Sequence, residues 1–301
     1  MQANYEQLLA TSRRVNWQIA DLVGGDKRLD FSRPFLPETY ARTQELPFLT
    51  PVEALALNHI RAHGYLAMFQ LVEAFILPFV VEQSKWDPGE QRFRVPALQQ
   101  FASEEIKHME LFAVFRRQFV SEFGVECGFI GPAEEIGAAI LEHSPLAVAI
   151  LVLGIEWMSQ GHYVESIRDS QALDPQFKSL LKHHYLEEVQ HAKLDSLMLQ
   201  AMLPQYDRNA IDHAVDEYFE MGAFIDGGLR QQTELDLASF ERARGHALTI
   251  EQRDTFLTRQ HQAQRWTFLG SAMRNENFLQ SLDVLGGDCR HRVAGAASSF
   301  C

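Results

Sequence analysis

Cysteine is scarce in this sequence. The 301 residues include only Cys127, Cys289 and Cys301, and no two of them form a Cys-x-x-C pair. This spacing excludes a rubredoxin-type or iron–sulfur site, because those sites need clustered thiolate ligands. A few unpaired thiols are typical of a reducing compartment, and the first residues lack a signal-peptide pattern. We therefore expect a cytoplasmic protein.

Positively charged residues and long apolar runs are also few. There are 27 Lys and Arg residues against 40 Asp and Glu residues, giving a net charge of −13. Nucleic-acid binding requires basic patches, so this balance argues against it. The apolar run from Leu71 to Val81 is short for a membrane span and contains Glu73. It indicates a buried core helix, and we expect no membrane association.

No segment shows the alternating pattern of a convincing β-strand. Hydrophobic residues make up 46% of the chain, enough for one large core. Thr50-Pro51-Val52-Glu53 has the form of a helix start with a capping box, and Asp174-Pro175 opens another helix. The pattern predicts an all-α, single-domain protein with a four-helix bundle core and additional helices around it. We place the core helices over about 50–203 and the additional helices over 1–22, 208–242 and 249–285.

Proline and glycine predict several local features. Pro78 is expected to kink or weaken its helix, because proline lacks a backbone N–H. The segment Trp86–Arg94 is predicted to be a polar loop. Gly227-Gly228 is a potential break in the helix predicted over 208–242. The tail after Gly286-Gly287 is expected to fray.

Two Glu-x-x-His motifs are the main indication of a functional site in the sequence. They are Glu105 to His108 and Glu188 to His191, and each follows a lone glutamate by 32 residues. These lone residues are Glu73 and Glu156, so the same three residue types recur after 83 positions. One such motif is weak evidence, because helix surfaces are rich in glutamate. The repeated set is specific.

Helical geometry explains the spacing. Residues three apart lie on nearly the same helix face, so one helix can direct a glutamate and a histidine at the same metal pair. Four carboxylates neutralise two divalent cations, and the histidines leave positions open for oxygen or substrate. This is the ligand pattern of a ferritin-like dinuclear site, to which two helices each give one Glu and two each give Glu-x-x-His.

The choice of ligand is ambiguous at several positions, because two glutamates or two histidines stand next to each other in the sequence there. Only Glu188 has a histidine three residues later, and His184, Glu188 and His191 form one continuous helix face. The predicted ligands are Glu73, Glu105, His108, Glu156, His184, Glu188 and His191. We expect the first three to hold mainly one iron ion and the other four to hold the second, with carboxylates bridging.

Glu104 and Glu187 each directly precede a predicted ligand. A metal-bound histidine usually donates its second ring N–H to a carboxylate or carbonyl. We hypothesise that each glutamate accepts this hydrogen bond from the histidine of the opposite motif; the alternative is a solvated surface glutamate. His162 and Tyr163 follow Glu156 but are interpreted as packing residues, and the remaining histidines lack ligand spacing.

His184 has no counterpart in the first half, where Phe101 occupies the equivalent position. The resulting order is Glu, Glu-x-x-His, Glu, then His-x-x-x-Glu-x-x-His. It resembles the p-aminobenzoate N-oxygenase (AurF-like) family of diiron oxygenases over roughly residues 50–203. The resemblance implies a homodimeric, all-helical enzyme in which two iron ions activate O₂. Such enzymes usually convert an aryl amine to a hydroxylamine or nitro product.

Other functions fit part of the pattern. A desaturase or a ribonucleotide-reductase-like radical protein shares six of the ligands but not His184, and a diiron hydroxylase acting on C–H bonds is a close alternative. Bacterioferritin-like iron-storage proteins share both motifs at about half this length. The ligand types also suit manganese or a mixed Mn/Fe pair. The sequence contains no dinucleotide fingerprint. Besides O₂ and a small-molecule substrate, the chain is therefore expected to need an external electron donor or reductase.

Overall fold

The computed structural model describes residues 4–85 and 92–300, and these residues form an all-α protein with no β-strand among them. Most of the loop predicted over Trp86–Arg94, together with Cys301, lies outside the described residues. In chain order, the α-helices are α1 (Tyr5–Ser12), α2 (Glu38–Ala41), α3 (Pro51–Gln83), α4 (Arg94–Phe123), α5 (Ala133–Leu141), α6 (Pro145–His162), α7 (Pro175–Met202), α8 (Arg208–Arg244), α9 (Ile250–Arg265), α10 (Ser271–Arg274), α11 (Glu276–Ser281) and α12 (Cys289–Ala296).

Helices α3, α4, α6 and α7 form the bundle. Helix α3 packs along α4, α6 packs along α7, and α4 contacts α7 between the two pairs. The long helix α8 lies against both α3 and α6, and α1 covers α4 and α7. Every residue of α6 from Leu146 to Glu156 is buried, as expected for a helix that is apolar on all sides. The predicted four-helix, ferritin-like core with additional helices is confirmed.

The predicted helix starts are present. The Thr50 hydroxyl accepts a hydrogen bond from the backbone N–H of Glu53, and the Glu53 carboxylate accepts one from the backbone N–H of Thr50. The side chain of Asp174 caps α7 by accepting a hydrogen bond from the backbone N–H of Phe177. Pro78 lies inside α3, which continues to Gln83. Helix α3 is long and apolar enough to cross a membrane, but 67% of its most apolar window is buried within the protein.

Four boundaries differ from those predicted. Helix α8 continues through Gly227-Gly228, because packing against α3 and α6 outweighs the low helix propensity of glycine. The helix predicted over 249–285 is divided at Asn275, whose side chain caps α11. The tail contains α12, anchored by buried Cys289 and Val293. The first helix ends at Ser12.

A buried ion pair joins α3 to α8. Arg61 Nη1 lies 3.4 Å from Asp236 Oδ2, and both side chains are almost fully buried. Gln232 and Gln264 donate further hydrogen bonds to the Asp236 carboxylate, so the network also reaches α9. Because α8 packs against the bundle here, these contacts position it relative to α3.

Loss of one partner of this pair is expected to destabilise the protein strongly. Asp236→Leu leaves the Arg61 charge buried without its carboxylate and should lower the free energy of unfolding by about 3–5 kcal/mol. The double variant Arg61→Met/Asp236→Leu removes both charges and should recover most of that loss. Chemical denaturation of the three proteins measures this, and a double variant no more stable than Asp236→Leu would contradict it.

Candidate metal centre

The seven predicted ligands converge in the centre of the bundle. Helix α3 contributes Glu73, α4 contributes Glu105 and His108, and α6 contributes Glu156. Helix α7 contributes His184, Glu188 and His191. None of these residues is more than 4% exposed to solvent. The helical spacing therefore brings residues from four separate segments into one buried cluster.

Glu188 occupies the middle of the cluster. Its Oε1 atom lies 3.2 Å from His191 Nδ1, 3.3 Å from His108 Nδ1 and 3.3 Å from His184 Nε2. A carboxylate in contact with three imidazoles can join two metal positions. Two groups of possible ligands share it, one with Glu73, His108 and His184, the other with Glu105, His108 and His191. Within each group the ligand atoms lie within 4.8 Å of one another.

The structure divides the ligands differently from the sequence-based expectation. His184 was expected on the same ion as Glu156 and His191. Instead, its Nε2 atom lies 3.1 Å from Glu73 Oε1, beside His108. His191 Nδ1 lies 2.9 Å from Glu105 Oε1 on the other side. His184 and His191 lie two turns apart on α7, so they face different partners along the helix axis.

Two glutamates hydrogen-bond to histidine ring nitrogens that face away from the cluster centre. His108 Nε2 lies 2.9 Å from Glu187 Oε2, and His191 Nε2 lies 2.9 Å from Glu104 Oε2. Each histidine thus hydrogen-bonds to the glutamate beside the opposite motif, as hypothesised from the sequence. These bonds orient both Nδ1 atoms towards the cluster centre. Glu104 and Glu187 are themselves buried and not solvated.

The sequence did not reveal the groups that support these two glutamates. Ser12 in α1 and Gln100 in α4 donate hydrogen bonds to Glu104. Lys107 forms an ion pair with Glu187, and its ammonium lies 4.0 Å from the centre of the Trp17 ring. Ser12 and Trp17 fall in the N-terminal region, far from the predicted ligands in the sequence. They contact residues distant in sequence, so no local sequence pattern predicts their roles. Lys107, in contrast, lies inside the first Glu-x-x-His motif.

Other residues near the motifs have packing roles. The ring of Phe101 stacks on His191 with centroids 3.9 Å apart, at the position equivalent to His184. His162 hydrogen-bonds to Tyr65 and Ser271, outside the cluster, as its interpretation as a packing residue predicted. Asp195 is fully buried four residues after His191, and neither carboxylate oxygen has a hydrogen-bond partner among the described residues.

Burial and mutual repulsion set the protonation of the cluster. Burial raises the pKa of Glu73 well above its ordinary value, and the adjacent carboxylates of Glu105 and Glu188 raise it further. Burial and Glu188 likewise raise the pKa of Glu156. For His191, burial favours the neutral form, but the surrounding carboxylates outweigh it and raise the pKa well above the usual value. Glu73 and Glu156 thus hold protons more tightly than free carboxyl groups where no cation neutralises them.

The donor set fits a pair of metal ions. Glu73 Oε2, Glu105 Oε2 and Glu156 Oε2 are buried without a hydrogen-bond partner in the described structure, and His108 Nδ1 and His191 Nδ1 face the Glu188 carboxylate at 3.3 and 3.2 Å. Unpaired buried polar atoms are costly, and their concentration at one point calls for a ligand. Carboxylate oxygens and imidazole nitrogens are the donors that iron and manganese bind in such bundles.

Comparisons with known proteins give limited guidance. No family model and no curated protein matches the chain. Among solved structures, an R2-like ligand-binding oxidase variant with an aerobically reconstituted Mn/Fe cofactor has 15% identity and a TM-score of 0.45, covering 88% of this chain and 93% of that one. Another variant, with an Fe/Fe cofactor, has 14% identity and a TM-score of 0.44, covering 88% and 93%. Similarity at this level does not define a family for the chain.

Glu187→Gln is expected to weaken metal retention. The amide preserves the shape but removes the charge that supports His108 and pairs with Lys107, so the affinity for Fe(II) should fall about 10–100-fold. Glu110→Gln, an exposed substitution in α4, is the matched control and should bind metal as the wild type does. Anaerobic titration with metal analysis measures both, and unchanged retention in Glu187→Gln would show that this carboxylate does not support a metal ligand.

Metal binding is expected to release protons. Glu73, Glu156 and His191 have raised pKa values, so they hold protons more tightly than free side chains, and these protons must leave before the groups ligate a cation. The affinity should therefore increase as the pH rises. Calorimetric titration in buffers of different ionisation enthalpy measures the proton count. Identical enthalpies in all buffers at one pH would contradict the expected release.

Proposed function

We propose that the protein is an O₂-activating dinuclear iron oxygenase that oxidises the nitrogen of an amine substrate. The observation that carries this proposal is the convergence of six buried carboxylate and imidazole ligands on one point, with the buried Glu156 carboxyl hydrogen-bonded to Glu188 beside them. The same donors accept manganese, and a mixed Mn/Fe pair is compatible with the site. A reduced metal pair at this position supplies the electrons and the Lewis acidity for O₂ activation.

The protein side chains have three roles in this chemistry. Glu73, Glu105, Glu156 and Glu188 balance the charge of two divalent ions. His108 and His191 bind through Nδ1 while Glu187 and Glu104 fix their orientation through Nε2. The surrounding apolar helices exclude water, which strengthens each electrostatic contact and limits loss of oxidising equivalents to solvent.

The third histidine supports oxygenation over iron storage. His184 contacts both Glu73 and Glu188, so it adds a neutral donor where ferritin-like storage sites of the bacterioferritin type have none. Its presence completes the seven-residue order that resembles the AurF-like N-oxygenases. We assign N-oxygenation on this resemblance, with a C–H hydroxylase as the alternative outcome of the experiment below.

Electrons are supplied from outside in this proposal. The sequence has no dinucleotide fingerprint and no clustered cysteines. A separate reductase or a small reductant would therefore have to supply the electrons for each turnover. A homodimer, implied by the resemblance alone, belongs to the same proposal.

The proposal predicts labelled oxygen in an N-oxidised product. Iron-loaded, chemically reduced protein is mixed with an aryl amine and isotopically labelled O₂, and the products are analysed by mass spectrometry. A labelled hydroxylamine or nitro product is expected. A labelled C-hydroxylated product would favour the alternative, and O₂ uptake that only oxidises iron, in a large multimeric shell, would favour storage.

The matched variants are His184→Phe and His183→Phe. The first reproduces in α7 the phenyl ring found at Phe101 in α4; it should retain iron on six ligands but lose about 10–100-fold in product formation. His183 hydrogen-bonds to the Ser179 carbonyl outside the cluster, so His183→Phe should behave as the wild type. Equal product formation by both variants would remove His184 from the proposed mechanism.

A further inference from the structure

A cleft of about 410 Å³ lies between α3 and α4 and is open to solvent. Its walls include His63 and Gln70 of α3 and Arg116, Arg117 and Val120 of α4. None of the predicted metal ligands lines it, and none of the described lining residues is acidic. The charges on its described walls are therefore all positive, in a chain whose net charge is −13.

Arg116 is held in the cleft by three uncharged groups. Its Nη1 atom donates a hydrogen bond of 2.7 Å to Gln70 Oε1. Its Nε atom donates a longer one, of 3.5 Å, to His63 Nε2. The central carbon of the guanidinium lies over the Phe129 ring, 5.7 Å from the ring centre, within range of a cation–π contact. These contacts orient the guanidinium without neutralising its charge.

The two hydrogen-bond acceptors of Arg116 carry no negative charge. His63 is buried, and its burial, together with the charge of Arg116, lowers its pKa to about 3. The imidazole is therefore neutral at physiological pH, and its Nε2 atom can accept a hydrogen bond. Gln70 presents its amide oxygen, since a guanidinium only donates.

The charge of Arg116 has no counterion within the part of the chain that the structure describes. Burial lowers the pKa of this half-buried guanidinium, and no neighbouring carboxylate offsets the effect. Arg61 of α3 shows the contrast, because the Asp236 carboxylate pairs with it. A guanidinium that is already oriented, partly removed from water and without a counterion is suited to bind an anion.

We propose that this cleft binds a small organic anion through a carboxylate or phosphate group. Either group has oxygens that fit the guanidinium fork of Arg116. Arg117 lines the same cleft and adds a second positive charge, and Val120, 47% exposed, offers apolar surface to the rest of the molecule. The proposal does not depend on the oxygenase function, because the cleft and the metal centre share no residue.

The first test is a calorimetric titration of the full-length, metal-loaded protein at constant ionic strength. The probes are butyrate, inorganic phosphate and the uncharged butyramide. Arg116→Gln removes the charge and should weaken the binding of butyrate, of phosphate or of both about tenfold or more. Arg230→Gln, an exposed substitution in α8, is the matched control and should bind as the wild type does.

The dependence on Arg116 separates the cleft from the metal centre. Any binding of these anions to the metal ions is common to all the variants, so only the part lost in Arg116→Gln belongs to the cleft. Loss of butyrate binding alone identifies a carboxylate ligand, and loss of phosphate binding alone identifies a phosphate ligand. The proposal is overturned if neither anion binds in an Arg116-dependent way, or if butyramide binds as tightly as butyrate.

A substitution that supplies an internal anion gives a second test. Gln70 Oε1 already contacts Arg116, so Gln70→Glu places a carboxylate there in a side chain of nearly the same shape. Anion binding should fall about tenfold or more, because the guanidinium is then neutralised from within the protein. Gln70→Met, which removes the hydrogen bond without adding charge, should lose less.

Thermal unfolding of the same proteins separates loss of the site from loss of the fold. The new ion pair in Gln70→Glu should leave the unfolding temperature no lower than that of the wild type. A folded Gln70→Glu protein that binds the anion as tightly as the wild type would show that Arg116 is not the binding group, and the proposal would fail.

Discussion

The structure depends on burying acidic side chains together where water cannot neutralise them. A single buried carboxylate among apolar helices is strongly unfavourable, yet Glu73, Glu105, Glu156 and Glu188 are all at most 3% exposed. Their mutual repulsion requires protons or cations at the centre, as the raised pKa values of Glu73 and Glu156 show. The bundle thus holds an arrangement that is stable only with positive charge at its centre.

Carboxylates next to the ligands hold the ligating side chains in a defined geometry. Glu104 and Glu187 each hold a histidine from the opposite motif, so α4 and α7 position each other's ligands. The two supports are not equivalent. Hydrogen bonding to His191 lowers the pKa of Glu104 to about 2 against the effect of burial, whereas burial raises that of Glu187 to about 7 despite the nearby Lys107. The two histidines are therefore held by carboxylates of different proton affinity.

The bundle and the cluster were predictable because both follow from local rules. Helical spacing places Glu188 and His191 on one face, and capping residues such as Thr50 mark where helices begin. The remaining features depend on contacts distant in sequence. Helix α8 crosses Gly227-Gly228 because it packs on two other helices, and Ser12 reaches Glu104 from 92 residues away. The expected grouping of the ligands around two metal ions also differs from the observed contacts at His184. The spacing within α7 does not define which residue of α3 faces this histidine.

The two halves of the bundle are alike in sequence but not in environment. Phe101 and His184 occupy equivalent positions 83 residues apart, and they place a phenyl ring against His191 but an imidazole against Glu73. Val72 and Ile155 are also equivalent, yet both line one cavity because α8 closes only that side of the bundle. A repeated ligand set thus becomes a cluster whose two halves have different neighbours.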